Sequence, residues 1–191
     1  GVYTPDNGAE IELFAQPVAS VTPEAARKAG IAVIWQDLAL FPEMSVAENI
    51  AVETLLGARP RLVRHGAFRE VAKGALARLG VDLSLDARLK DLPIAERQLV
   101  AIARALTGDA RLIFMDEPTA SLTQSETDSL LAIVRKLAEN GVSVVFVSHR
   151  LAEVLEISSR VTVLRDGRLV GVFPTAGMTQ SRLTELMTGK T

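Results

Sequence analysis

The chain has 191 residues, 48% hydrophobic and 23% charged, with a formal charge of -2 at pH 7. That length suits one domain with a continuous apolar core, and the slight acidity excludes a global positive field for nucleic acid or acidic lipid. Zero cysteines exclude disulfides and thiolate-ligated zinc, and no apolar run approaches the ~20 residues that span a bilayer. The opening Gly1-Val2-Tyr3 has neither an initiator Met nor a signal-peptide pattern, and reads as the middle of a longer sequence.

Thr4-Pro5-Asp6-Asn7-Gly8 is a turn cluster, and Glu10-Ile11-Glu12-Leu13 alternates as a half-buried strand does. Thr22 is placed to cap a helix with Pro23 at its first position and Gly30 past its end. Ile31 to Trp35 is a short apolar strand that delivers Gln36 at its exit. Ser45-Val46-Ala47-Glu48 is a capping box that opens a helix. From Ala58 to His65 the composition turns basic around Pro60, which predicts a surface loop. Helical stretches then end near Gly80 and Gly108.

Leu112 to Met115 is a continuous apolar run, expected of a parallel strand covered on both faces. Thr123-Gln124-Ser125-Glu126 is a second capping box. Leu130, Ile133, Val134 and Leu137 follow at i, i+3, i+4 and i+7, and Asn140-Gly141 ends that helix. Val142 to Val147 is another strand. Val161 to Leu164 and Leu169 to Val172, joined through Asp166-Gly167, predict a hairpin, and a helix is expected after Thr179. Strands alternating with helices indicate an α/β fold with a parallel sheet flanked by helices.

Three strand exits carry polar residues, and open α/β sheets place their ligands at such ends. Asp116 and Glu117 follow Leu112 to Met115. In an ATPase the first would hold Mg²⁺ and the second would orient or deprotonate the attacking water; equally, the pair could be an acidic turn with Glu117 capping. His149, after the next strand, could bond a γ-phosphate or the lytic water, or be a partly buried imidazole bonded to backbone. Gln36 could ligate Mg²⁺ without adding charge, or be a loop glutamine.

The order Gln36-Asp37-Leu38, then Leu92-Pro93-Ile94-Ala95-Glu96-Arg97-Gln98, then Asp116-Glu117-Pro118-Thr119, then Ser148-His149-Arg150 resembles the ATP-binding domain of ABC transporters. Two stretches, Phe41 to Ile50 and Ser148 through Gly167, resemble more particularly the first of the tandem ATPase domains in ribose-, xylose- and galactose-type importers. The resemblance implies a P-loop NTPase-like sheet with a helical subdomain over about residues 42–108 inserted in the α/β core. It makes Gln36 the loop glutamine that links the site to the membrane subunit, Asp116 the magnesium-side carboxylate, Glu117 the catalytic base and His149 the switch histidine. Leu92, Pro93, Ile94, Ala95 and Glu96, within the segment that runs to Gln98, become the signature that closes over ATP held by an opposite domain. Ala120 to Thr123 becomes the crossing loop. The implied ligands are ATP and Mg²⁺. The implied partners are a second ABC ATP-binding domain, transmembrane permease subunits and, indirectly, a sugar-binding protein, at the cytoplasmic face of the cell membrane.

The sequence departs from the family in three places. No G-x-x-x-x-G-K-S/T stretch occurs, although backbone N–H groups of such a loop and its lysine position the phosphates. The family carries that loop upstream of Thr4 to Gly8, so one truncated domain that lacks the loop and the first strands is expected, and this chain alone is expected to be inactive. The strand ending at His149 would then keep an unpaired, valine-rich edge. Second, Pro93, Ile94 and Ala95 stand where the family has Ser-Gly-Gly: Pro93 brings neither hydroxyl nor N–H, and Ile94 brings bulk. Third, Thr123 stands where aspartate is common, and helix capping accounts for it locally. Two other readings remain at this point. One is a nucleotide-incompetent module that dimerises or docks through this fold. The other is a DNA-repair or chromosome-organising relative, which the absence of a coiled-coil or cysteine-rich insertion disfavours.

Overall fold

The computed structural model describes residues 8–18, 22–56 and 65–189. Two-residue strands β1 (Glu12–Leu13) and β2 (Gln16–Pro17) pair antiparallel, followed by α1 (Pro23–Lys28) and β3 (Ile31–Ile34). Next come α2 (Val46–Leu56), α3 (His65–Leu79), a 3₁₀ turn over Leu89–Asp91, and α4 (Ile94–Thr107). The chain continues through β4 (Leu112–Asp116), α5 (Gln124–Glu139), β5 (Ser143–Val147), α6 (Leu151–Ile157), the hairpin β6 (Arg160–Arg165) and β7 (Arg168–Pro174), and α7 (Gln180–Thr188).

The centre is a three-stranded parallel sheet in the order β3-β4-β5. Its register sets Ile34 against Met115, Met115 against Phe146, and Asp116 against Val147, so all three carboxyl ends reach one edge. Parallel neighbours need crossovers. The β4-to-β5 crossover is α5, whereas β3 reaches β4 through α2, α3 and α4. One sheet face contributes Ile34, Ile113 and Met115 to a core shared with Val46, Ile50, Val100, Ile102, Leu106 and Leu130. A second, smaller core joins Val161 and Val163 of the hairpin to Leu183 of α7.

Local chemistry explains where the elements begin and end. The Thr22 hydroxyl accepts from the Ala25 N–H at 3.1 Å, and Gly30 takes φ 79°, which an L-residue reaches only with strain. The Ser45 hydroxyl accepts from the Glu48 N–H at 3.2 Å while the Glu48 carboxylate accepts from the Ser45 N–H at 2.8 Å. Thr123 and Glu126 repeat that exchange at the head of α5. Asp166 and Gly167, at φ 53° and 73°, make the β6–β7 turn.

Three expectations change. Leu112 to Met115, expected to be covered on both faces, buries Ile113 and Met115 on one face and leaves Phe114 exposed on the other. The strand over Glu10–Leu13 shortens to Glu12–Leu13, because Phe14 and Ala15 turn the chain through left-handed φ of 52° and 60° into β2. His65 opens α3 instead of closing a loop; the rest of the basic stretch lies outside the described residues, as does most of the Thr4–Gly8 cluster.

Candidate functional site

Glu117 leaves β4 with φ 47°, and its N–H donates to the Val147 carbonyl at 2.9 Å, extending the β4–β5 ladder one step past the strands. The turn directs its carboxylate towards the exit of β5. Glu117 Oε1 accepts from the His149 backbone N–H at 3.0 Å, and His149 Nδ1 lies 2.8 Å from Oε2. Oε2 accepts no aligned hydrogen bond, so the imidazole meets it by close approach rather than through a directed bond. The imidazole is 71% exposed and the carboxylate 22%, which leaves the histidine free to turn outward while Glu117 stays sheltered.

Asp116 faces the same edge in register with Val147, half-buried, and its carboxylate makes no hydrogen bond or ion pair among the described residues. Gln36 lies two residues past Ile34 at that edge, exposed, and its side chain bonds neither Glu117 nor His149. Glu117 and His149 therefore touch directly, while Asp116 and Gln36 share their edge through sheet register.

Leu92 follows the 3₁₀ turn, and Pro93 begins α4 with φ -57° and ψ 156° and no side-chain cap. Ile94 is exposed, Ala95 and Glu96 half-buried. Arg97 stiffens the approach by donating from Nε to the Leu92 carbonyl and from Nη2 to that of Lys90, both at 2.9 Å. The side chains of Pro93, Ile94 and Ala95 offer no donor to a phosphate, so any anion contact there falls to helix N-terminal amides.

Sequence reasoning missed three supporting contacts. Buried Gln98 donates from Nε2 to the Pro118 carbonyl at 2.9 Å, pinning α4 to the turn after Glu117. Buried Glu153 accepts from the Thr119 hydroxyl at 2.6 Å and from Arg150 Nη1 at 3.0 Å, which ties α6 to the same turn. Arg104 donates from Nη1 to the Ala39 carbonyl and from Nη2 to the Leu38 carbonyl, just beyond Gln36. Burial pulls the Arg104 pKa below the usual arginine value, and Glu53 partly restores it. Arg150 immediately precedes α6 and stands three residues before Glu153, a spacing that was a usable signal for the second contact; the others join residues at least 20 apart. A cavity of about 690 Å³ lined by Phe14, Arg27, Gly30 and Arg111 opens at the opposite, amino end of the sheet and is separate from these groups.

The sequence profile of the family described as ABC transporter matches residues 1–120. The ribose import ATP-binding protein RbsA 2 of Streptomyces avermitilis is 45% identical across the whole chain, which spans 37% of that relative. RbsA 1 of Rubrobacter xylanophilus, also a ribose import ATP-binding protein, is 47% identical across the whole chain, which spans 38% of it. The chain thus spans well under half the length of the curated relatives it matches. Among solved structures, a dimeric ATP-binding cassette bound to ADP and Pi superposes with a TM-score of 0.72 at 22% identity, covering 90% of this chain and 75% of that one. A nucleotide-free cassette from an ABC transporter gives 0.74 at 20% identity, covering 91% and 71%, and at such identity the likeness speaks to fold. With the profile spanning most of the chain and the parallel sheet of a cassette beneath it, this chain belongs to the ABC transporter family.

Proposed function

We propose that this chain is part of the ATP-hydrolysing subunit of a sugar importer, acting with a second ATP-binding domain and membrane permease subunits at the cytoplasmic face of the membrane. The observation that carries the reading is the Glu117–His149 contact at the carboxyl edge of the sheet. The relatives' names point to ribose as the class of cargo. The chain would form one domain, with residues 42–108 as its helical insertion.

The residues suit MgATP at one end and not at the other. The Asp116 carboxylate has no partner among the described residues, and Glu117 Oε2 is buried without a hydrogen bond. Asp116 and Gln36 would hold Mg²⁺, whose charge would offset that of the phosphate oxygens; one carboxylate beside phosphate and water is a usual set for this ion. Glu117 is positioned to take a proton from water. His149, held at Glu117 and largely exposed, can swing to a phosphate oxygen as a donor.

A Glu117→Gln change in the full-length protein keeps the shape and removes the base. Hydrolysis is expected to fall by about 10² to 10⁴ while nucleotide binding persists. Normal turnover in that variant takes Glu117 out of the role.

The degenerate segment favours a refinement. Because Pro93, Ile94 and Ala95 lack the hydroxyl and flexible backbone that meet a phosphate, the composite site they complete hydrolyses slowly or serves only to dock. Replacing them with Ser-Gly-Gly in the assembled transporter is expected to raise turnover, and an unchanged rate contradicts this.

A further inference from the structure

The exit of β3 is held in a conformation that its own residues disfavour. Leu38 and Ala39 are consecutive and left-handed, at φ 47° and 44°, and neither is a glycine. In that region Cβ crowds the following carbonyl. Local bonds help: the Leu38 N–H donates to the Trp35 carbonyl at 2.9 Å, and Asp37 Oδ1 accepts from the Ala39 N–H at 2.9 Å. Both strained carbonyls then point at one group. Arg104, ten residues into the helix that starts at Ile94, donates to Ala39 at 2.8 Å and to Leu38 at 3.0 Å. Its side chain is only 13% exposed, with Glu53 at 3.8 Å from Nε. A planar guanidinium can fork to two carbonyls at once, which a lysine ammonium cannot do in fixed geometry. The same helix reaches the β4 exit through Gln98, so α4 touches two of the three strand ends.

We propose that Arg104 is a positioning residue: its guanidinium fixes the left-handed Leu38–Ala39 turn, and thereby the presentation of Gln36, to the helix behind the signature segment. The proposal rests on the reading of Gln36 as part of the site. Gln36 sits between Trp35 and this turn, so a released turn changes where the amide can reach without altering the carboxylates on β4.

The test uses the full-length protein with its permease. Arg104→Ala is expected to lower kcat about tenfold with the KM for ATP little changed, the scale of one lost charge-assisted hydrogen bond. Trp35, the only tryptophan of this chain and 56% exposed, reports the turn directly, its signal isolated by subtracting a Trp35→Phe version. Its emission is expected to shift in Arg104→Ala. Adding Ala39→Gly should restore both readouts, because glycine takes positive φ without strain, and Arg104→Lys should restore them in part. Unchanged kcat and emission in Arg104→Ala overturn the proposal. So does a loss that Ala39→Gly fails to reverse, since Arg104 would then act only through helix packing. If Trp35 responds while Gln36→Ala leaves kcat untouched, the clamp stands as structure and the role of Gln36 in the site fails.

Discussion

Glu117 occupies a left-handed backbone conformation at φ 47°, a cost on the order of 1–2 kcal/mol for a non-glycine residue. Such strain persists where the surroundings over-determine it. Here the Glu117 N–H is tied to Val147 and its carboxylate to His149, while the following Pro118 and Thr119 are held from behind by Gln98 and Glu153. Glu153 is the sharper case. Its carboxylate is nearly enclosed, joins Thr119 to Arg150, and belongs to no strand exit. Glu153→Ala would leave the buried Thr119 hydroxyl and the half-buried Arg150 without their acceptor. A loss of about 2–3 kcal/mol is expected, read as a lower melting temperature of this domain in the full-length protein. Glu153→Gln, which keeps an acceptor oxygen, should lose less. Equal stability of the alanine variant would mean that the turn is held by Gln98 and the ladder alone.

Among the elements, those whose ends are set by neighbours in sequence were legible. The two capping boxes, the Asn140–Gly141 stop and the Asp166–Gly167 turn all rest on chemistry within four residues, and each appears where expected. The β1–β2 hairpin was hidden because Phe14 and Ala15 are poor residues for positive φ; Arg111, stacked 3.7 Å over the Phe14 ring, supplies support from far along the chain. The Arg104 and Gln98 contacts were hidden for the same reason: their partners are chosen by tertiary packing. The Thr123 box also makes a pH prediction. Hydrogen bonds from the Thr123 backbone N–H, and then its hydroxyl, hold the Glu126 carboxyl below its usual value of 4.5. A depressed folded pKa means that the contribution is complete above the unfolded value and is lost as pH falls through the folded one. Melting temperature should therefore drop on acidification below about pH 4.5, and Glu126→Gln, which removes the titrating carboxyl, should flatten that part of the profile. An identical acid limb in both proteins would show that Glu126 gains nothing from the cap.

At the scale of the molecule, the central sheet is buried on one face only. Ile34, Ile113 and Met115 point into the core, whereas Val33, Trp35, Phe114, Val145 and Val147 are exposed on the other side of the alternation. Parallel sheets are ordinarily covered on both faces, and their strands read as continuous apolar runs for that reason. In the same register Val33 stands beside Phe114 and Phe114 beside Val145, so the exposed residues form one contiguous band across three strands. Strand β5 is also an edge, paired only with β4 among the described residues, and the unpaired side of an apolar strand invites another chain. The 191-residue chain on its own is therefore expected to self-associate, growing in light scattering with concentration and melting without a sharp reversible transition. Val145→Lys places a charge in the middle of that edge, where it cannot be buried against a second copy at low cost. It should reduce scattering while leaving the Glu117–His149 exit intact. A monodisperse unmodified chain with a sharp, reversible melt would show that the band is tolerated by water and that the β5 edge attracts no partner strand.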